Sequence, residues 1–578
     1  MMKLKKAFSW LYHSRWRYLI LWAVFILYLY AYFWIFCGVS VSPDNYTAYR
    51  SIDARDGALA LLLFQYFIGV CVLVFARASG RLDHRLVRDV FLFWAINSMV
   101  YYGFSLTVCT SRYDFRNDWW VCQTGSHWTI VLDIFTTGKI PDPPLNLDGT
   151  YNLENQFYQS KLWHLIAGYF VRFNYNFIQA SEEPIPVYAQ SGFPNFTYRV
   201  ELAFETLKIL QAAIGYWLYV FSAEIFKHLR LSQRAATIST ALVCLLPFYA
   251  YIPFVYNNDA LMIAFVLGAL LWALSYSRKP SFSKAALCAV FLGLGMMSKI
   301  NGVLAAIPIA YLFLMRLISI GHEKKTERKE ERKAFFAQMA LFAVIVFPLG
   351  LFHSFYAWRH YGQSFDYVLY PGDEFSNNYV NVNFYGVYNR FIGLFTSDLF
   401  VRPYKYDFGR GPWGDSYGYI DFNIWTGLFK TALFGNGVFQ DTELENLMPF
   451  SLINKHVYLI FHLWLIIAFY GLMSWVYQLG RKCFPKYRHI SLEEGFLIVV
   501  GVVSLGYYVY FCVKFPFTST MHFRYASLVV FPFFASLSRT LDEGYLYWKG
   551  DSLEEREEDD LFRRSPLQKQ DMSVFASF

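Results

Sequence analysis

The chain reads as an all-α polytopic membrane protein: a bundle of about twelve transmembrane helices with two large extracytoplasmic loops that carry amphipathic helices. Three observations point there. Of its 578 residues, 56% are hydrophobic, 21% aromatic and only 16% charged, and the mean hydropathy is +0.28, too apolar for a string of soluble domains. Apolar runs of roughly twenty residues recur along the chain, the length a helix needs to cross a bilayer core. Basic residues fall in short blocks between those runs, as topology signals do. The formal charge of +8 therefore belongs to loops beside a membrane. It gives no basic soluble groove for nucleic acid, because the aromatic residues sit in the spans.

The elements follow in order. Residues 1–110 form an N-terminal three-span segment. Lys3, Lys5, Lys6, Arg15 and Arg17 hold the N-terminus in the cytoplasm ahead of a first span from about Tyr18 to Cys37, which no small-residue cleavage site follows. A second span from about Ala58 to Phe75 turns at Arg77, Arg81, Arg85 and Arg88 into a third, from about Val90 to Cys109. Residues 111–200 are the first extracytoplasmic loop. Residues 201–356 are a central module whose spans start near Leu207, Ala236, Leu261, Ala285, Val303 and Phe336. Residues 357–455 are the second loop, rich in Tyr, Asn and Gly, and 456–540 hold spans starting near Val457, Gly495 and Tyr525. Residues 541–578 are an acidic cytoplasmic tail, solvated from Asp551 onward. Alternation places Arg230 and Arg234, Arg278 and Lys279, the Lys324–Lys333 block and Arg481–Arg488 all on the cytoplasmic side.

On this topology Lys161, Asp259, Lys299 and Arg524 all lie at non-cytoplasmic ends of apolar segments. Ionisable groups at such places need water, a partner or a ligand, and cations converging with one carboxylate suit an anionic ligand. In the first loop, Ser126 to Phe135 has helical amphipathic spacing and is expected to lie in the membrane interface. A second such helix, from about Ser160 to Phe173, begins Ser160-Lys161-Leu162. There Lys161 either snorkels to the interface or clamps a phosphate beside free helix N–H groups.

Three motifs carry a resemblance. Asn257-Asn258-Asp259 opens one span, Gly293-Leu294-Gly295-Met296-Met297-Ser298-Lys299 ends a later one, and Gln159-Ser160-Lys161-Leu162 follows a loop helix. In order, spacing and shared membrane face they resemble GT-C fold glycosyltransferases, in the branch of protein O-mannosyltransferases and lipid A aminoarabinose transferases. The likeness runs from about Trp119 to Leu317, with weaker pieces at Asn423-Ile424-Trp425 and His522-Phe523-Arg524-Tyr525. It implies transfer of a sugar from a polyprenyl-phosphate or dolichyl-phosphate donor to an acceptor polymer, lipid or protein outside the membrane. Lys161 and Lys299 match the family's phosphate-contacting lysines, with Arg524 as a third cation for the leaving phosphate. Gln123, His127, His164, Asn258 and Asp259 are candidates for holding sugar or acceptor. No tightly bound cofactor is implied.

The sequence departs from the family where an acidic pair is expected before the first loop helix: Gln123 and Thr124 stand there, and neither can be a general base. Asp114, Asp118 and Asp133 are nearby carboxylates, and Asp118, beside Trp119 and Trp120, is the chosen base, although it equally suits a turn. His127 and His164 either shuttle protons or hydrogen-bond at the interface. Asp259 is expected chiefly to cap its helix with Asn257 and Asn258, with binding of donor sugar hydroxyls or holding Lys299 in place as the other roles open to the same carboxylate. No spacing in the outer loops marks a metal site, and a divalent cation is not indicated. Cys109 and Cys122 are a possible outer disulfide or two free thiols. Two other readings stay open: a flippase of lipid-linked saccharides, which would show inverted repeats, and a non-catalytic subunit of a cell-wall polymer assembly complex.

Overall fold

The computed structural model describes residues 16–37, 52–106, 127–152, 157, 159–185, 196–322, 325–365, 382–393, 408–409, 418–419, 423–434, 450–483, 490–517 and 520–549. Among them the fold is the expected helical bundle, with one two-stranded ribbon in which β1 (Phe408–Gly409) runs antiparallel to β2 (Gly418–Tyr419). The helices before the second loop are α1 (Arg17–Tyr32), α2 (Ile52–Ala78), α3 (His84–Tyr101), α4 (His127–Thr137), α5 (Leu162–Tyr175), α6 (Tyr198–Glu205), α7 (Leu207–His228), α8 (Gln233–Leu245), α9 (Pro247–Tyr251), α10 (Asp259–Arg278), α11 (Phe282–Ser298), α12 (Ala306–Gly321) and α13 (Lys325–Tyr361). Beyond it come α14 (Val382–Phe391), α15 (Ile424–Phe434), α16 (Phe450–Arg481), α17 (Leu492–Lys514) and α18 (Val530–Lys549).

Eight of the described helices are long and apolar enough to cross a membrane, or nine if α8 and the helix after it, bent by 55°, count as one span. The expectation of about twelve exceeds this for identifiable reasons. Helix α11 is apolar but shorter than a full span. Helix α18 carries Arg539, Asp542 and Glu543 toward neighbouring helices, so its apolar stretch ends early. The bend between α8 and α9 falls at Pro247, where the missing N–H breaks the helix.

Burial sorts the bundle into layers. In the α7 span 78% of positions are buried and in α10 67%, against 17% in α2 and in α16. Helices α7 and α10 are therefore the core, apolar all round, while α2 and α16 turn Leu, Phe and Val outward, as lipid-facing helices do. Helix α10 packs on α7 and α11, and α11 in turn on α13. Caps fix where the helices begin: Ser232 accepts from Ala235 N at 3.0 Å and Ser281 from Lys284 N at 3.3 Å. Ser491 and Glu494 form a reciprocal capping box at α17.

The first-loop helices differ from expectation. His127, Trp128, Thr129, Ile130, Val131 and Ile134 of α4 are buried, with Trp128 packed on Phe196 and Phe204. Helix α4 is thus a covered part of the core, wedged between α5 and α6, and does not lie in the interface. An amphipathic pattern does not distinguish cover by protein from cover by lipid, and here protein covers the apolar face.

At one end of the bundle a belt of ion pairs joins several helices. Glu493 meets Arg230 at 2.8 Å and Arg278 at 3.6 Å, Asp542 meets Arg234 at 3.7 Å, Glu494 meets Lys482 at 3.0 Å and Arg539 at 2.8 Å, and Glu543 meets Arg481 at 3.0 Å. All of these basic groups except Arg539 fall in the loops that the charge pattern assigns to the cytoplasm. Helix α10 has Arg278 in this belt and Asp259 at its opposite end, about 30 Å away at 1.5 Å per residue.

Candidate active site

At that opposite end four segments distant in sequence meet. The turn before α5 is held to α11 by Ser160, whose Oγ donates to the Met296 carbonyl at 3.2 Å. The Asn258 amide, fully buried, donates to Gln159 Oε1 at 2.7 Å and to the Ser298 carbonyl at 2.8 Å. One side chain thus ties the approach to Lys161, the start of α10 and the residue before Lys299. Leaving such a buried amide unbonded would cost about 1–3 kcal/mol, so the link fixes register among three elements.

Asp259, 1% exposed, accepts from Lys299 Nζ on Oδ1 at 2.7 Å and from Arg524 Nη1 on Oδ2 at 3.0 Å. The Tyr525 ring lies under both cations, 5.7 Å from Lys299 Nζ and 4.9 Å from Arg524 Cζ. This corrects the reading of Asp259 as a helix cap. Asn257 Oδ1 accepts from the Asp259 backbone N at 2.9 Å instead, and Asn258 makes no capping bond. Charge-assisted bonds to two cations are stronger than a cap of about 1 kcal/mol, so the carboxylate turns to Lys299 and Arg524. Two cations on one carboxylate leave the cluster net positive.

Lys161 is buried at the N-terminus of α5, and its Nζ donates to the carbonyls of Phe157 at 3.1 Å and Gln159 at 2.8 Å. Burial pushes its ammonium down to about 7. His127 Nδ1 and His164 Nε2 are 2.8 Å apart and their rings stack with centroids 4.9 Å apart. His522, buried beside Arg524, accepts from the Arg524 backbone N on Nδ1 at 3.1 Å. Desolvation holds all three imidazoles well below the usual histidine range, with nearby cations adding to it.

Arg524 is placed by the second loop. Phe523 N donates to Thr431 Oγ1 of α15 at 2.8 Å, and Tyr508 of α17 donates to the Ile424 carbonyl at 2.5 Å. A cleft of about 50 Å³ opens beside the cluster, lined by Asn301, Gly302, Tyr507, Arg524 and Tyr525 among others.

Of the residues singled out in the sequence, Lys161, Lys299, Arg524, Asn258, Asp259, His127 and His164 come together. Asp118, Gln123, Cys109 and Cys122 lie outside the described residues. Sequence reasoning missed Tyr525, His522 and the Gln159–Asn258 bond. Adjacency to Arg524 was the available signal for the first two; a hydrogen bond across 99 positions leaves no periodic trace. Among the described residues no three His, Cys, Asp or Glu side chains are grouped for a metal ion.

Residues 200–352 match the family described as dolichyl-phosphate-mannose-protein mannosyltransferase. The matched stretch contains α7 to α12 with Asn258, Asp259 and Lys299, and it supports the GT-C glycosyltransferase resemblance read from the motifs. Solved structures with a similar chain path include the archaeal oligosaccharyltransferase AglB from Archaeoglobus fulgidus in complex with an inhibitory peptide and a dolichol-phosphate, at 13% identity and a TM-score of 0.39 over 80% of this chain. The apo form of the Archaeoglobus fulgidus oligosaccharyltransferase matches at 12% identity and a TM-score of 0.40, again over 80%. This chain spans about half, 51%, of those proteins. No curated protein matches it in sequence.

Proposed function

We propose that this chain transfers a sugar from a polyprenyl-phosphate or dolichyl-phosphate donor to an acceptor at the extracytoplasmic face of a membrane. The observation that carries the reading is that Lys299 and Arg524 meet on Asp259 while Asn258 bonds Gln159, two residues before Lys161, at the bundle end opposite the ion-pair belt. As the acceptor hydroxyl attacks the anomeric carbon, the bond to the lipid phosphate breaks and negative charge grows on that phosphate. Preorganised cations aimed at the growing charge lower the barrier. Asp259 holds Lys299 and Arg524 apart from each other and in place, so no reorganisation is needed when the phosphate arrives. Lys161 is the adaptable cation: burial lowers its ammonium to about 7, and an incoming phosphate recharges it.

The donor phosphate is assigned to Lys161, Lys299 and Arg524, sugar and acceptor binding to Gln123, His127, His164, Asn258 and Asp259, and the base role to Asp118. The acceptor is a protein or a glycan. The test is transfer by purified protein in nanodiscs given a radiolabelled polyprenyl-phosphate sugar panel and crude acceptor. Label transfer, or donor hydrolysis, that Lys299→Met abolishes supports the reading. Donor left intact with every sugar and acceptor overturns it.

A further inference from the structure

The lipid-facing side of α2 is not smooth. Against the start of α3 it forms an open trough of about 660 Å³, walled by Phe64, Phe67, Cys71 and Phe75 and bounded at the C-terminal end of α2 by Arg81 and Leu86. The α2 wall repeats at three- and four-residue spacing, which sets its side chains in one stripe along the helix. Its aromatic rings are exposed, and Ala76 is buried at the arginine end. From Phe64 to Ala76 the stripe is about 18 Å long at 1.5 Å per residue, close to the roughly 15 Å depth of one leaflet's hydrocarbon.

The arginine end lies at the same end of the bundle as the ion-pair belt. Thr237 of α8, one turn from Arg234, donates to the His84 carbonyl at 3.4 Å, and Arg17 meets Asp89 of α3 at 3.7 Å. The turn from α2 into α3 carries Arg77, Arg81, Arg85 and Arg88 against Asp83 and Asp89. Asp83 is engaged at the start of α3, where it accepts from Leu86 N at 2.7 Å, and Asp89 is engaged with Arg17. Arg77 and Arg81 are exposed, and neither side chain has a hydrogen bond or ion pair among the described residues. An apolar trough about one leaflet deep that ends under two such cations is complementary to an acyl chain with an anionic head.

The geometry points to a binding site for one anionic phospholipid in the leaflet on the belt side, which the charge pattern makes cytoplasmic. One acyl chain lies in the α2 trough, and the head phosphate sits on Arg81 with Arg77 beside it. A zwitterionic lipid brings the same chain but no net charge for the arginines. The N-terminal stretch with Lys3, Lys5 and Lys6 has the wrong sign to settle there. The site is at the opposite end of the bundle from Asp259, and it does not depend on the transferase reading.

The experiment is native mass spectrometry of the detergent-purified full chain incubated with phosphatidylglycerol, phosphatidylcholine or a polyprenyl phosphate, singly and in equal mixtures. Wild type is expected to retain one phosphatidylglycerol in preference to phosphatidylcholine. An arginine at a membrane surface strengthens the hold on anionic lipid by about fivefold. Arg77→Gln combined with Arg81→Gln should therefore weaken phosphatidylglycerol retention by more than about tenfold and erase the preference. Cys71→Trp fills the trough and leaves the arginines, and it should lose phosphatidylglycerol as well. If that variant does not fold, the paired arginine variant, altered only at exposed positions, decides alone. Lys329→Gln combined with Lys333→Gln removes two exposed charges from the basic start of α13 and should change nothing. Equal retention of the two phospholipids, wild-type retention by the paired arginine variant, an equal loss in the lysine pair, or displacement of phosphatidylglycerol by polyprenyl phosphate at equal concentration would each overturn the site. Sugar transfer is not read, so every one of these outcomes leaves the transferase reading where it stands.

Discussion

Asp259 to Asn is the sharpest change available at a single residue. The amide keeps the shape but leaves Lys299 and Arg524 facing each other without their shared counter-charge. Breaking a buried pair by neutralising one partner costs about 3–5 kcal/mol. Misplacing the cations should also lower kcat by about 10²–10³-fold, the usual size for losing a preorganised charge donor; a thermal melt and a transfer assay read the two effects. Lys161 gives a pH prediction with a definite sign. Its folded ammonium is depressed to about 7, so the charged form that attracts phosphate is present below that pH and lost above it. Accordingly kcat/KM for donor should fall as pH rises through about 7, by up to tenfold per unit, while kcat at saturating donor falls less because bound phosphate recharges the lysine. Lys161→Arg, always charged, should flatten that alkaline limb. At this scale the sequence points to Lys299 and Arg524, which meet at Asp259, because a charge ending an apolar run is visible in one dimension. Capping is favoured there for Asp259 over holding Lys299, because the partners that turn its carboxylate away from the helix lie 40 and 265 positions off.

Between residue and bundle, the turn after Lys299 depends on one glycine. A Cβ on Gly302 would lie 2.9 Å from the Gly295 carbonyl carbon and 3.1 Å from its oxygen. Those are backbone atoms of α11 and cannot yield, whereas only glycine lets the 3₁₀ turn (Ile300–Ala305) fold this tightly back on the helix. Gly302→Ala is expected to destabilise by about 1–3 kcal/mol, as overpacking does, and to lower donor affinity by shifting Lys299. A melt and a donor titration check this, and no change in either would mean the turn is looser than drawn. The apolar runs located most helices well, since burial in lipid or protein demands the same side chains. The same ambiguity hid the true setting of α4: a buried apolar face and an interfacial one look alike until Phe196 and Phe204 are seen covering it.

For the whole molecule, the ion-pair belt and the cation cluster sit at opposite ends of the shared core helices, and that polarity is a topological claim. Single cysteines at Thr150 in the first loop and Ser283 after α10, both in exposed stretches, should label from opposite sides of sealed vesicles, with Thr150 outside. Labelling from the same side would contradict the proposed sidedness. The bundle class and the meeting of distant motifs at one end were legible from basic blocks alternating with apolar runs, because the positive-inside bias acts loop by loop. The number of full spans was not, because α11 falls short and α18 turns charged groups into the belt. The account as a whole rests on three cations sharing one lipid phosphate. The most direct measurement is the ³¹P NMR signal of a polyprenyl phosphate titrated into nanodiscs holding the protein. Wild type should shift it saturably, and Lys161→Met and Lys299→Met should each weaken binding by at least about tenfold, the effect of losing a charged hydrogen bond. Unchanged binding in both variants would contradict the account.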